Sequence, residues 1–135
     1  MHTFPVQLRF SDIDALGHVN NSVYFQLMDL AKARYFMDAL GSGLDMKKPG
    51  VVVVNVNCDF CAPSFFGESL AVNTSTEKIG EKSFVLRQEI VNSETGAVKC
   101  RCHTVMCGFD PLTNTSVEIS PLWREALEKM EGHSL

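Results

Sequence analysis

The spacing of apolar residues changes once near the start of the chain, and that change limits the possible folds more than any other feature. From Ser22 to Leu40, Tyr24, Leu27, Met28, Ala31, Tyr35 and Ala39 recur at intervals of three and four, with Asp29 and Lys32 off the stripe. This spacing predicts an amphipathic helix of about five turns, stopped by Gly41-Ser42-Gly43. Its neighbours read as strands. Residues 4–11 alternate, with Phe4, Val6, Leu8 and Phe10 on one side and Gln7, Arg9 and Ser11 on the other. Over residues 51–60 the alternation places Val52, Val54, Val56, Cys58 and Phe60 on one face. Residues 69–78 form a further strand, and Gly80-Glu81-Lys82 turns into another from Ser83 to Asn92. Glu94-Thr95-Gly96 then turns into a strand from about Ala97 to Phe109. Ser120 before Pro121 is a cap followed by proline at the first helical position, so Leu122 to Glu131 is expected to be a short helix. Strands joined by tight turns form an antiparallel meander. One long helix must bury its stripe on that sheet, so the expected class is α+β, an antiparallel sheet wrapped around one long central helix. The run of strands excludes a doubly wound fold, in which strands and helices alternate.

The chain of 135 residues, 45% apolar, is expected to form a single domain over 1–135 with a real core. Twelve basic and 16 acidic residues give a net charge of -4, which argues against a nucleic-acid partner held by a broad basic field. No apolar run approaches the ~20 residues of a membrane helix, so no membrane partner is expected. The first ten residues lack the basic and apolar regions of a signal peptide. Five cysteines cannot all pair within one chain, and free thiols in a reducing cytoplasm are the simplest expectation. Cys58 and Cys61 have CxxC spacing, but three apart on a strand they point to opposite faces. Cys100 and Cys102 share a face with Val98 and Met106 and read as small hydrophobes. No metal site and no cofactor are expected, and neither GxGxxG nor GxxxxGK[ST] occurs.

The densest polar stretch is Asp12 to Asn21, between the end of a strand and the start of a helix. Backbone N–H groups at a helix N-terminus lack intrahelical partners and favour developing negative charge. A carboxylate facing the same space supplies what acyl-transfer hydrolysis requires, a base or nucleophile beside an oxyanion site. The same residue types also serve as a simple capping loop.

Asp12-Ile13-Asp14-Ala15-Leu16-Gly17-His18-Val19-Asn20-Asn21-Ser22-Val23-Tyr24 resembles the D-x-D-x-x-G-H-V-N-N-x-x-Y signature of hotdog-fold acyl-CoA thioesterases. The nearest branch is the 4-hydroxybenzoyl-CoA thioesterase-like group. The likeness extends through the long helix, Asp59-Phe60, the Ile79 to Phe84 turn and Ser120-Pro121-Leu122-Trp123. It implies a hotdog fold that hydrolyses an acyl-CoA to a carboxylic acid and CoA. The essential carboxylate then falls on Asp14, acting as nucleophile or general base, and the oxyanion donor on the backbone N–H of Asn21. Gly17 lets the loop turn near substrate, while His18 and Asn20 hold its shape. Asp12 takes a structural bond. Val19, Tyr24 and Phe60 are expected beside the acyl group, and Lys82 and Ser83 near CoA. The remaining cations, Lys78, Arg87, Lys99 and Arg101, read mostly as solvated faces. A homodimer or homotetramer is expected, because hotdog sheets join edge to edge and the Val51–Val56 strand has little charge to protect an edge. An acyl-carrier-protein thioester is the alternative substrate. A non-catalytic acyl-binding protein and a hotdog dehydratase are the alternative functions.

Overall fold

The computed structural model describes residues 1–41 and 50–135. Its elements are β1 (His2–Val6), a 3₁₀ turn (Phe10–Asp12), α1 (Asn21–Leu40), β2 (Gly50–Phe60), β3 (Leu70–Ile79), β4 (Ser83–Asn92), β5 (Val98–Asp110), β6 (Thr115–Ser116) and α2 (Pro121–Glu131). The strands form one antiparallel sheet in the order β1-β3-β4-β5-β2, with β6 paired to β5. The meander is therefore β3-β4-β5. β2 lies at the far edge beyond β5, and β1 closes the opposite edge. No helix among the described residues is long and apolar enough to cross a membrane.

α1 forms where the spacing predicts it. Asn20 caps it, its Oδ1 accepting from the Ser22 N–H at 2.9 Å, and Gly41 ends it at φ 55°. Ser42 and Gly43 of the expected stop lie outside the described residues. The buried stripe includes Val23, Phe36 and Leu40 besides Tyr24, Leu27, Met28, Ala31 and Tyr35, whereas Ala39 is half-buried. The helix packs on β1, β3, β4 and α2. Two apolar clusters divide the core. One joins the first half of α1 to Leu70, Val72, Ile90, Cys100 and Cys102. The other joins its second half to Phe84, Leu86, Met106, Trp123 and Leu127. α2 begins as expected, with Ser120 accepting from the Trp123 N–H at 3.3 Å and Pro121 in the first turn.

Two expectations need correction. The first strand ends at Val6 and does not continue to residue 11. Phe4, Val6 and Leu8 pack on the core, but Phe10 is 84% exposed and meets only Phe66 edge-on among the aromatic rings. The cause is Asp12. Its buried carboxylate accepts from the Arg9 N–H at 2.8 Å and from the Arg9 guanidinium at 2.9 Å, which folds the chain into a turn. The second correction concerns β2. Val53 pairs with Met106 and Asn55 with Val105, so Val54 is an extra residue in a bulge. Partners on the buried face of β5 show that Val51, Val53, Val56, Cys58 and Phe60 share the helix-side face. Val52 stands on the other face.

Burial raises the Asp12 carboxyl, but the Arg9 backbone bond, side-chain bond and charge outweigh it and hold the group below its ordinary value. The Arg9 guanidinium is exposed, so the backbone bond should carry most of the stabilisation. Asp12→Ala is expected to cost about 1–2 kcal/mol, as for a lost cap or a bond to a charged group. The measure is a lower urea midpoint at neutral pH, and an unchanged midpoint would remove Asp12 as the anchor. A lowered folded value means the contribution is full above the ordinary 3.8 and is lost as pH falls through the folded value. The gap between wild type and variant should therefore close in strong acid.

Candidate active site

The loop between the 3₁₀ turn and α1 is tied down almost completely by its own backbone. The Asp14 N–H donates to the His18 carbonyl at 2.8 Å, and the Gly17 N–H to the Asp14 carbonyl at 3.0 Å. Gly17 takes φ 82°, a left-handed conformation that favours glycine. The Asn20 N–H reaches the Asp12 carbonyl at 3.0 Å, and Ile13 bridges Val19. The Val19 N–H donates to the Ser64 carbonyl at 2.8 Å, which joins this loop to a second one after β2.

Asp14 is only partly buried. Its Oδ1 accepts from the Leu16 N–H at 2.9 Å and the His18 N–H at 3.3 Å. Among the described residues nothing donates to Oδ2. One oxygen thus fixes the carboxylate while the other remains available. Every backbone N–H from Leu16 to Val23 has an acceptor within the described chain except that of Asn21. It stands at the positive end of a 20-residue helix, where an N–H without an intrahelical partner favours negative charge.

Asp14 and Asn21 line one cleft of about 400 Å³ with Leu16, His18, Val19, Asn20, Tyr24, Phe60, Cys61, Ala62 and Pro63. Tyr24 is buried, its hydroxyl donating to Ser64 Oγ at 2.7 Å, and its ring stacks on Phe60 at 5.9 Å. Burial raises the Tyr24 phenol, and the bond to Ser64 only partly offsets this. His18 lies edge-on to Phe65 at 5.1 Å, and no side-chain bond from its ring is found among the described residues.

The expected residues Asp14, His18, Val19, Asn20, Asn21, Tyr24 and Phe60 are brought together, with Gly17 providing the turn between them. Lys82 and Ser83 are not. Phe60 pairs with Cys100, whereas Ser83 pairs with Cys107. Seven residues along β5 separate these positions, about 23 Å at the usual rise of a strand.

The loop after β2 carries no motif in the sequence, yet its Cys61, Ala62 and Pro63 line the cleft. Pro63 and Gly67 mark it in the sequence only as residues that break a strand. Lys99 needs correction as well. It is 9% exposed rather than solvated, and its Nζ bonds the Glu68 carboxylate at 2.9 Å and the Pro63 carbonyl at 3.1 Å. Burial raises the Glu68 carboxyl. Bonds from Asn92, Lys99 and the Phe65 N–H, with the Lys99 charge, more than offset this and leave it below the usual carboxylate range.

All five cysteines are free. Cys100 and Cys102 are buried, and burial pushes the Cys100 thiol up to about 11. Cys58 packs half-buried against the core, while Cys61 is exposed on the cleft wall. Among the described residues no three His, Cys, Asp or Glu side chains are placed to hold a metal.

Residues 16–99 match the thioesterase superfamily. The long-chain acyl-CoA thioesterase FadM of Escherichia coli is 24% identical over 93% of this chain and 96% of its own. The 1,4-dihydroxy-2-naphthoyl-CoA hydrolase of Acaryochloris marina is 28% identical over 71% of each chain. A crystal structure of a Thermus thermophilus thioesterase complexed with coenzyme A and Zn superposes with a TM-score of 0.86, at 26% identity, covering 98% of this chain and 96% of that one. The chain belongs to the thioesterase superfamily and is a thioester hydrolase built on the hotdog fold.

Proposed function

We propose that the protein hydrolyses an acyl-CoA thioester, with Asp14 as the reacting carboxylate and the Asn21 N–H as the oxyanion donor. The observation that carries this reading is that one cleft is lined both by Asp14, whose Oδ2 has no donor among the described residues, and by Asn21, the one residue from Leu16 to Val23 whose backbone N–H has no acceptor among them. The acyl carbonyl oxygen accepts from Asn21, which draws electron density from the carbonyl carbon. Asp14 Oδ2 either attacks that carbon, giving a mixed anhydride that water then hydrolyses, or takes a proton from a water that attacks. In both routes the C–S bond breaks, the CoA sulfur leaves as thiolate and takes a proton, and the carboxylic acid remains. Tyr24 and Phe60 provide an aromatic wall for the acyl group, with Val19 beneath it.

Asp14→Asn is expected to retain the fold, because Asp14 is partly exposed and the amide oxygen still accepts from the loop. Turnover should drop by on the order of 10²–10⁴-fold. A thiol-release assay with DTNB over aliphatic and aromatic acyl-CoAs, with an acyl-carrier-protein thioester alongside, measures this. Near-normal activity in the variant would remove Asp14 from the mechanism. Tight binding without thiol release by the wild type would favour an acyl-binding protein.

We also propose that the working unit is a homo-oligomer paired through β2. This edge strand carries Val52, Val53, Val54 and Val56 between 37% and 58% exposed, and its one charged residue is Asp59. A long apolar edge of this kind is normally covered. Light scattering at micromolar concentration should give a dimer or a tetramer, and a monomer would exclude the pairing. Lys82 and Ser83 lie too far from the cleft of their own chain, so their contact with CoA requires the cleft of a second copy. Lys82→Ala should raise KM for acyl-CoA with little change in kcat. An unchanged KM would take Lys82 out of CoA binding.

A further inference from the structure

Lys99 and Glu68 meet under the cleft wall, away from the proposed reacting groups. Lys99 is the extra residue of a bulge in β5, since Ile90 pairs with Cys100 and Val91 with Val98. The bulge leaves the Lys99 carbonyl free to accept from the Cys61 and Ala62 N–H groups, at 2.9 and 3.2 Å. It also turns the side chain inward, where Nζ reaches the Pro63 carbonyl and the Glu68 carboxylate. Glu68 in turn accepts from the Phe65 N–H at 3.0 Å and from Asn92 Nδ2 at 3.0 Å. The two side chains are 11% and 18% exposed, so water competes weakly for these bonds.

These bonds fix Cys61, Ala62, Pro63 and Phe65 on either side of Ser64. Ser64 is fully buried, and it holds the Val19 N–H through its carbonyl and the Tyr24 hydroxyl through its Oγ. Val19 and Tyr24 flank Asn21 in sequence. Hydrogen bonds from Lys99 and Glu68 thus hold the residues on either side of Ser64, and Ser64 in turn bonds the Val19 N–H before the proposed oxyanion donor and the Tyr24 hydroxyl after it. We infer that the Lys99–Glu68 pair is a latch that positions the cleft wall and, through Ser64, the Asn21 N–H. Both are positioning residues, because neither lines the cleft.

The activity arm of the test rests on the thioesterase reading above, so a second arm does not use activity. In Lys99→Met, kcat toward an acyl-CoA that the wild type hydrolyses should fall on the order of 10–100-fold, as expected when a reacting geometry loosens. KM should change little. Amide hydrogen exchange at Val19, Cys61 and Ala62 should accelerate while exchange in β4 stays protected. The double variant Lys99→Met with Glu68→Met removes the stranded carboxylate. It should regain thermal stability without regaining kcat, and it also provides a folded sample should the single variant not fold. If the double variant recovers kcat along with Tm, or if exchange at Val19 matches wild type in both variants, the latch is overturned. A wild type that releases no thiol from any acyl-CoA would refute the functional reading, and the exchange arm would still decide the latch.

Discussion

Ser64 is the point at which the separate parts of the molecule become one site. Two polar atoms of one fully buried serine each take a proton donor from the region of the α1 N-terminus. A buried donor or acceptor left without a partner costs about 1–3 kcal/mol, so the two segments cannot separate independently. The loop after β2 and the loop before α1 are distant in sequence, and each is shaped by its own set of hydrogen bonds. Joined at Ser64, they form the walls of a cleft of defined shape.

The position of the helix on the sheet explains where that cleft lies. α1 covers β1, β3 and β4, and the helix-side face of β5 is buried as well, so the face left partly open is that of β2 at the edge. Phe60 ends β2 in this uncovered region, 45% exposed, with its ring stacked on Tyr24 and edge-on to Phe25. Fold and site are therefore linked. The asymmetry that leaves an apolar edge strand open also leaves an entrance beside the helix N-terminus.

Local signals were legible in the sequence. The three-four spacing gave α1, Ser120 before Pro121 gave the start of α2, and the glycine turns gave the β3-β4-β5 meander. Asp14, Asn20 and Asn21 were legible because a family signature covers their loop. Features set by contacts between distant segments were not legible. Nothing local distinguishes the buried Lys99 from an exposed strand lysine such as Lys78, because the partner Glu68 lies 31 positions away. Alternation carried the first strand as far as Ser11, since the pattern does not register that Asp12 can turn back onto Arg9. The five cysteines illustrate the opposite case. Their spacing suggested chemistry, while strand periodicity placed Cys58, Cys100 and Cys102 against the core, where they lie.

The bulge at Val54 makes the phase of β2 depend on a single residue. Upstream of it, Val51 and Val53 face the helix; downstream, Val56, Cys58 and Phe60 do. A side-chain period of two cannot satisfy both sets without one supernumerary position. Loss of one residue there would leave the two halves of the strand in conflict. Either the valines before the bulge would keep their partners on β5, or Phe60 would keep its place beside Tyr24. The four consecutive valines soften that conflict, since each face meets an apolar side chain in either phase. The repeated valine thus makes the strand tolerant of a frame shift at its edge half, while the aromatic wall at its other end tolerates none.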